Sequence, residues 1–257
     1  MAHNPGLTVV KLGGRSIETP SGMAALAERL SALRASGRRL VVVHGGGAQV
    51  TSALAAAGIE ARFVHGLRVT DEKTLEIAEP VFAHVGKTLA HALTVAGSPA
   101  VSLSGRDAAT TRGVVKDAQL GRVGTVTDVN ADLLRHLAFN GVTPVVGPIA
   151  VDAHGPLNCN ADEVASAVAV ALKAHDLLLL TDVPAVRGAT GKPIDVLTRA
   201  GAEALIHDGV ASGGMIPKIR GALDALAAGV SRVRVLDEPG LTLLAEGHDA
   251  GTLFTEA

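Results

Sequence analysis

Three observations predict an α/β protein built on a parallel sheet. Short β-branched runs alternate with longer segments of helical period: "LTVVKL", then 21 to 36, then "LVVVH", then 47 to 57, the pattern of strand–helix crossover units. The 257 residues are 47% hydrophobic and 19% charged, which allows a large core and argues against disorder. Glycine clusters follow two of the apolar runs, in "KLGG" and "HGGG", where the strands of an open α/β sheet would end and bind ligands.

The elements follow in order. "LTVVKL" is the first strand, 21 to 36 a helix and "LVVVH" the second strand. In 47 to 57, Val50, Leu54 and Ala57 recur at helical spacing, and Gly58 sits where a helix stops. Residues 62 to 70 and 106 to 127 read as hairpin-like or looped insertions. "PAVSLSG", "VTPVVGPIAV", "DLLLLTDV" and "SRVRVLD" are short, apolar and bounded by Gly, Pro or Asp, which brings the strands to at least six. A helix follows Asn160, with Val164, Val168 and Leu172 on one stripe and Ala165 and Ala169 beside it. Another begins near Pro217, its apolar face set by Ile216, Ile219, Leu223, Leu226 and Val230. With no repeat, linker or low-complexity tract, residues 1–257 read as one domain, with a lobe boundary placed near 174.

Composition excludes several classes of function. A formal charge of −2 with four phenylalanines and no tryptophan or tyrosine counts against nucleic acid, which needs a basic surplus and stacking platforms. The single cysteine, Cys159, forms no internal disulfide and no Cys-based metal site, and it suits a reducing compartment. "MAHNPGLTVVKLGG" lacks the layout of a secretory signal, and no apolar run reaches the roughly 18 residues that span a bilayer. A soluble cytoplasmic protein without a membrane partner is expected. The ten histidines show no metal-ligand spacing, and no glycine-flanked serine elbow is present.

Five features point to chemistry. "HGGG" before a helix offers bare N–H groups and a positive dipole end to an anion, yet Val50 breaks the dinucleotide fingerprint and no lysine completes a Walker loop. Lys11 interrupts an apolar strand just before Gly13 and Gly14, so its ammonium needs a counter-charge. Lys218 falls in the first turn of a helix, against the dipole and off the apolar stripe, which makes sense with an anion between them. In "NCNADE", Asn160 and Glu163 form a capping box. Asp162 is either a favourable first-turn charge or a group that holds two lysines, and spacing alone does not separate the two. Arg68, in "HGLRVTD", is a donor fork suited to a carboxylate.

Taken in order, "VVKLGG", "VVVHGGGAQV", "FVHGLRVTDEKTLE", "VSLSGRD", "LNCNADEVA", "LLLLTDV" and "SGGMIPKIRGALDAL" resemble the N-acetylglutamate kinases of the amino-acid kinase family, from about residue 8 to 237. The resemblance implies a three-layer αβα sandwich and ATP-dependent phosphorylation of the side-chain carboxylate of N-acetyl-L-glutamate, on the route to arginine. It implies that Lys11 and Lys218 are the transition-state cations, with Asp162 orienting them and Gly13, Gly14 and Gly46 donating N–H groups to the transferred phosphoryl group. Gly46, Gly47, Arg68 and Asn158 would hold the acetylated amino acid, with Arg68 on its α-carboxylate. The nucleotide, with Mg2+, would lie around Thr181, Asp182 and Val183 and around Val210, Gly213, Gly214 and Met215. Lobes 1–174 and 175–257 would bind substrate and nucleotide respectively.

An arginine-insensitive homodimer is the implied assembly. A kinase of carrier-protein-linked aminoadipate or glutamate, and a silent amino-acid-binding regulator, are the alternatives. Relatives usually show Val-Asn-Lys after the "TLE" helix, and here "HVGK" puts Gly86 in place of the asparagine.

Overall fold

Successive side chains of β1 (Leu7–Leu12) point to opposite faces of a sheet, and both faces are covered. The computed structural model describes residues 6–13, 15–211 and 215–256. The further strands are β2 (Arg39–His44), β3 (Phe63–Val64), β4 (Leu67–Arg68), β5 (Ala100–Leu103), β6 (Thr111–Val115), β7 (Val123–Val129), β8 (Thr143–Val146), β9 (Ile149–Asp152), β10 (Gly155–Cys159), β11 (Asp176–Leu180), β12 (Val196–Thr198), β13 (Val233–Leu236) and β14 (Thr252–Thr255). The helices are α1 (Pro20–Ala35), α2 (Gly47–Ala56), α3 (Glu72–Val95), α4 (Ala131–Phe139), α5 (Ala161–Leu172), α6 (Arg199–His207), α7 (Met215–Ala227) and α8 (Glu238–Ala245).

Eight strands form one sheet in the order β12-β14-β13-β11-β1-β2-β8-β5, parallel throughout except between β13 and β14. On one face, Val10, Leu12, Val42, Leu178 and Leu180 pack with Leu26, Leu30 and Leu33 of α1, Leu89 and Leu93 of α3 and Leu241 of α8. On the other, Val9, Val41, Val43, Leu177 and Leu179 meet Leu134 of α4, Val164 and Val168 of α5 and Ile219 and Leu223 of α7. The result is the expected three-layer αβα sandwich. The period of two has a functional consequence, because it turns Lys11 toward the Val9 face, where α5 and α7 lie.

Three expectations need correction. "VTPVVGPIAV" is two strands: β8 stays in the main sheet, while β9, beyond Pro148, joins a closed barrel in the order β10-β7-β6-β9. The 106 to 127 insertion contains the β6–β7 hairpin of that barrel and runs on to Val129. The capping box is half made: Asn160 accepts from the amides of Asp162 and Glu163, but the Glu163 carboxylate turns away to Lys116 at 2.5 Å. The insertion at 62 to 70 is a short hairpin, β3–β4, reversing at His65 and Gly66, which both have positive φ.

Candidate active site

β1 lies between β2 and β11, with Lys11 level with Val43 on one side and Leu179 on the other. The crossovers leave this point in opposite directions, so the carboxyl ends of β1 and β11 open onto a crevice at a topological switch point. Lys11 Nζ sits 2.9 Å from Asp162 Oδ1 at the start of α5, with the Lys11 stem largely buried. Lys218, in the first turn of α7, reaches Asp182 Oδ1 at 2.5 Å. That contact, with the Thr181 hydroxyl donating to the same oxygen, holds the Asp182 carboxyl down at about 2. Lys11, Asp162, Thr181 and Lys218 all line one cavity of about 240 Å³. The resemblance gave Asp162 both lysines; here it holds Lys11, and Asp182 holds Lys218.

A second cavity of about 160 Å³ lies next to it, lined by Gly46, Gly47, Arg68 and Asn158, with Phe63 and Phe82 as apolar walls. The two share the β10–α5 junction, Asn158 and Asn160 facing one and Asp162 the other. Arg68 is the buried end of β4, opposite Phe63 of β3 and 4.7 Å from the centre of its ring. Its Nη2 donates to the Gly47 carbonyl and the Thr51 hydroxyl, both at 2.8 Å, while its buried Nη1 has no partner among the described residues. Burial pulls the Arg68 pKa down, as a cation short of counter-charge requires. Asn158 donates through Nδ2 to Thr70 Oγ1, and Thr70 donates to the Arg68 carbonyl, so one hydrogen-bonded chain sets both polar walls. The fork therefore presents a free donor where an anionic ligand would complete it.

The glycine turn, Gly45 to Gly47, lines the Arg68 cavity. Gly46 has φ +147, and a Cβ there would meet the Phe82 ring at 3.1 Å, so only glycine suits the position. Among the described residues the Gly46 and Gly47 amides have no protein acceptor, as expected of the first N–H groups of a helix. Gly13 packs against the end of Lys11. Val183, Val210 and Met215 are half-buried and line neither cavity. Gly14, Gly213 and Gly214 lie outside the described residues. The sequence reading missed the roles of Thr51 and Thr70 in fixing Arg68 and Asn158, and the aromatic walls Phe63 and Phe82. With only four phenylalanines in the chain, Phe63, three residues before the "GLR" motif, was a usable signal, whereas Phe82 lies next to no motif in sequence.

No three or more His, Cys, Asp or Glu side chains gather as a metal site among the described residues. Residues 6–237 match the amino acid kinase family model, which covers most of the chain. The chain belongs to the amino acid kinase family. Within that family it is 47% identical over 223 residues to an acetylglutamate kinase of Rubrobacter xylanophilus, covering 86% of this chain and 85% of that protein. It is 42% identical to an acetylglutamate kinase of Solibacter usitatus, covering 97% of this chain and 99% of that one. Among solved structures it superposes on smu.665 from Streptococcus mutans with a TM-score of 0.81 and 31% identity, covering 98% and 99% of the two chains.

Proposed function

We propose that this amino acid kinase moves the γ-phosphoryl group of ATP onto the side-chain carboxylate of N-acetyl-L-glutamate, on the way to arginine. The observation that carries the reading is that Lys11 and Lys218, 207 positions apart in sequence, line one cavity that meets the Arg68 cavity at the β10–α5 junction. The orphaned Nη1 of Arg68 receives the α-carboxylate, and Asn158 holds the acetylated amine. The γ-carboxylate then extends past Gly46 toward the lysines. It is already ionised at neutral pH, so no general base is required. Its oxygen attacks the γ-phosphorus as the bond to the β–γ bridging oxygen breaks, giving an acyl phosphate and ADP. Catalysis then depends on alignment and on neutralising charge over the equatorial oxygens, which the lysines and the Gly46 and Gly47 amides supply.

Residues around Thr181 to Val183 and Val210 to Met215 take the nucleotide, so that the lobe before 174 binds the amino acid and the lobe after it binds ATP. Magnesium arrives on the phosphates and offsets their charge. In this reading nucleotide binding frees Lys218 from Asp182. The protein works as a homodimer in the cytoplasm.

A coupled ADP-release assay compares N-acetylglutamate, glutamate and aminoadipate, with Lys218→Ala as control. Release with N-acetylglutamate, lowered about 10²–10³-fold in the variant, is expected. Activity on unacetylated glutamate alone overturns the substrate, and no release with any acceptor overturns the kinase.

A further inference from the structure

His44 ends β2 immediately before the glycine turn and is fully buried, yet the proposed chemistry gives it no part. Its Nδ1 lies 2.6 Å from the carbonyl oxygen of Gly45. A carbonyl only accepts, so Nδ1 carries the proton and the ring is the Nδ1–H tautomer. Nε2 is then a bare acceptor, and it has no partner among the described residues. Two neighbours crowd the ring, which otherwise borders a cavity lined by Glu79, Ser102 and Arg106. A Cβ at Gly86 would come within 2.8 Å of Nε2, and one at Gly147 within 3.2 Å, so α3 and the end of β8 close on it from two sides. The glycine in place of the usual asparagine at position 86 permits that approach. Burial lowers the pKa of His44 to about 4, so the ring is neutral under ordinary conditions.

The Gly45 carbonyl belongs to the same peptide unit as the Gly46 amide. In a trans peptide the two point in opposite directions. Holding that oxygen against the His44 ring therefore aims the Gly46 N–H the other way, out toward the crevice. The next peptide is fixed separately, because the Gly46 carbonyl accepts from Val50 as the first bond of α2. Without the imidazole donor, nothing else among the described residues holds the Gly45 carbonyl, and a glycine peptide can rotate at little steric cost.

We infer that His44 is a positioning residue for phosphoryl transfer: its Nδ1–H clamps the Gly45–Gly46 peptide so that the Gly46 amide faces the migrating phosphoryl group. This rests on reading the crevice as the kinase site. His44 touches no substrate and acts only through Gly46.

The first test needs no substitution. Nitrogen-15 NMR of histidine-labelled protein at pH 7 is expected to show one buried ring with a pyrrole-like Nδ1 and a pyridine-like Nε2. An Nε2–H tautomer or an imidazolium for His44 overturns the inference. The second compares His44→Asn, whose side-chain amide can place a donor near Nδ1, with His44→Leu, which matches in bulk and has no donor. The leucine variant is expected to lose about 10- to 100-fold in kcat with the KM for ATP little changed, and the asparagine variant to recover most of that loss. Equal losses in both, or a folded leucine variant with wild-type kcat, overturn it. If the leucine variant does not fold, the tautomer of the unmodified protein decides. A wild-type chain inactive on N-acetylglutamate would sink the kinase reading instead, leaving the tautomer to report on the clamp.

Discussion

A methyl group on residue 13 would sit 2.8 Å from the Lys11 ammonium. What would have to move is the end of a flexible side chain and not backbone, so Gly13→Ala should leave the fold intact while displacing the cation from its 2.9 Å contact with Asp162. The expected outcome is a fall of at least tenfold in kcat with an unfolding midpoint within a few degrees of wild type, read by steady-state kinetics and thermal melts. His44 yields a prediction of another kind. Its pKa is about 4 in the native state against 6.5 when unfolded, because burial opposes the charge. Between those values the unfolded chain binds a proton that the native chain refuses, so this contribution to stability is complete above pH 6.5 and shrinks as pH falls toward 4. The loss across the window is about 3 kcal/mol. Glu79, Lys87, Arg106 and Asp107 line the same cavity and are present in both proteins of a His44→Leu comparison. Urea unfolding of both proteins at pH 7, 5.5 and 4 should therefore give a shallower acid dependence in the variant; parallel curves would contradict the assignment.

At the start of α5 one residue serves both folding and chemistry. Asn160 Oδ1 accepts from the amides of Asp162 and Glu163, which seats Asp162 beside Lys11. Asn160→Ala should cost about 1 kcal/mol from the lost cap. That is a melting shift of roughly 2–4 °C for a chain of this size. It should also cost more activity than so small a shift explains, which separates a cap from a positioning role when melts and kcat are measured on one preparation. Helices α1, α2, α5 and α7 and the main strands could be read in advance because their apolar residues repeat with a clear period and stop at glycine or polar residues. The barrel could not. Gly113 of β6 would place a Cβ 2.6 Å from the Thr125 carbonyl, and Gly124 of β7 one 2.7 Å from Leu157, so the tight interior demands the residue that normally signals a turn. β12, three residues long, and β14 have no counterpart in the sequence reading. The two lysines were recognisable as charges out of place on their own elements, whereas Asp182 as the partner of Lys218 depends on a contact 36 positions apart.

The main sheet brings the two cavities together and leaves its own two ends unlike each other. One end is β12, three residues long. The other is β5, four half-buried residues paired on one side only. The Pro99 and Leu103 carbonyls accept from Thr143 and Gly147, at 2.7 and 2.8 Å, so alternate backbone groups face β8 and the amide and carbonyl of Ser102 face away from it. Ala100, which faces the same way, donates its amide to Thr94 Oγ1 of α3 at 3.2 Å, so the Ser102 groups are the part of this edge left open to another strand. If a second copy supplies that strand, the two main sheets continue into one, and the proposed dimer places its seam at β5, remote from the β1–β11 crevice. Sedimentation at micromolar concentration should then give a species of twice 25.9 kDa. Hydrogen exchange should find the Ser102 amide protected in that species, with protection falling on dilution as the monomer appears. A monomer at all concentrations would rule out the dimer, and a dimer in which the Ser102 amide exchanges freely would move the interface elsewhere; either leaves the crevice intact, since Lys11, Asp162, Asp182 and Lys218 all come from a single chain.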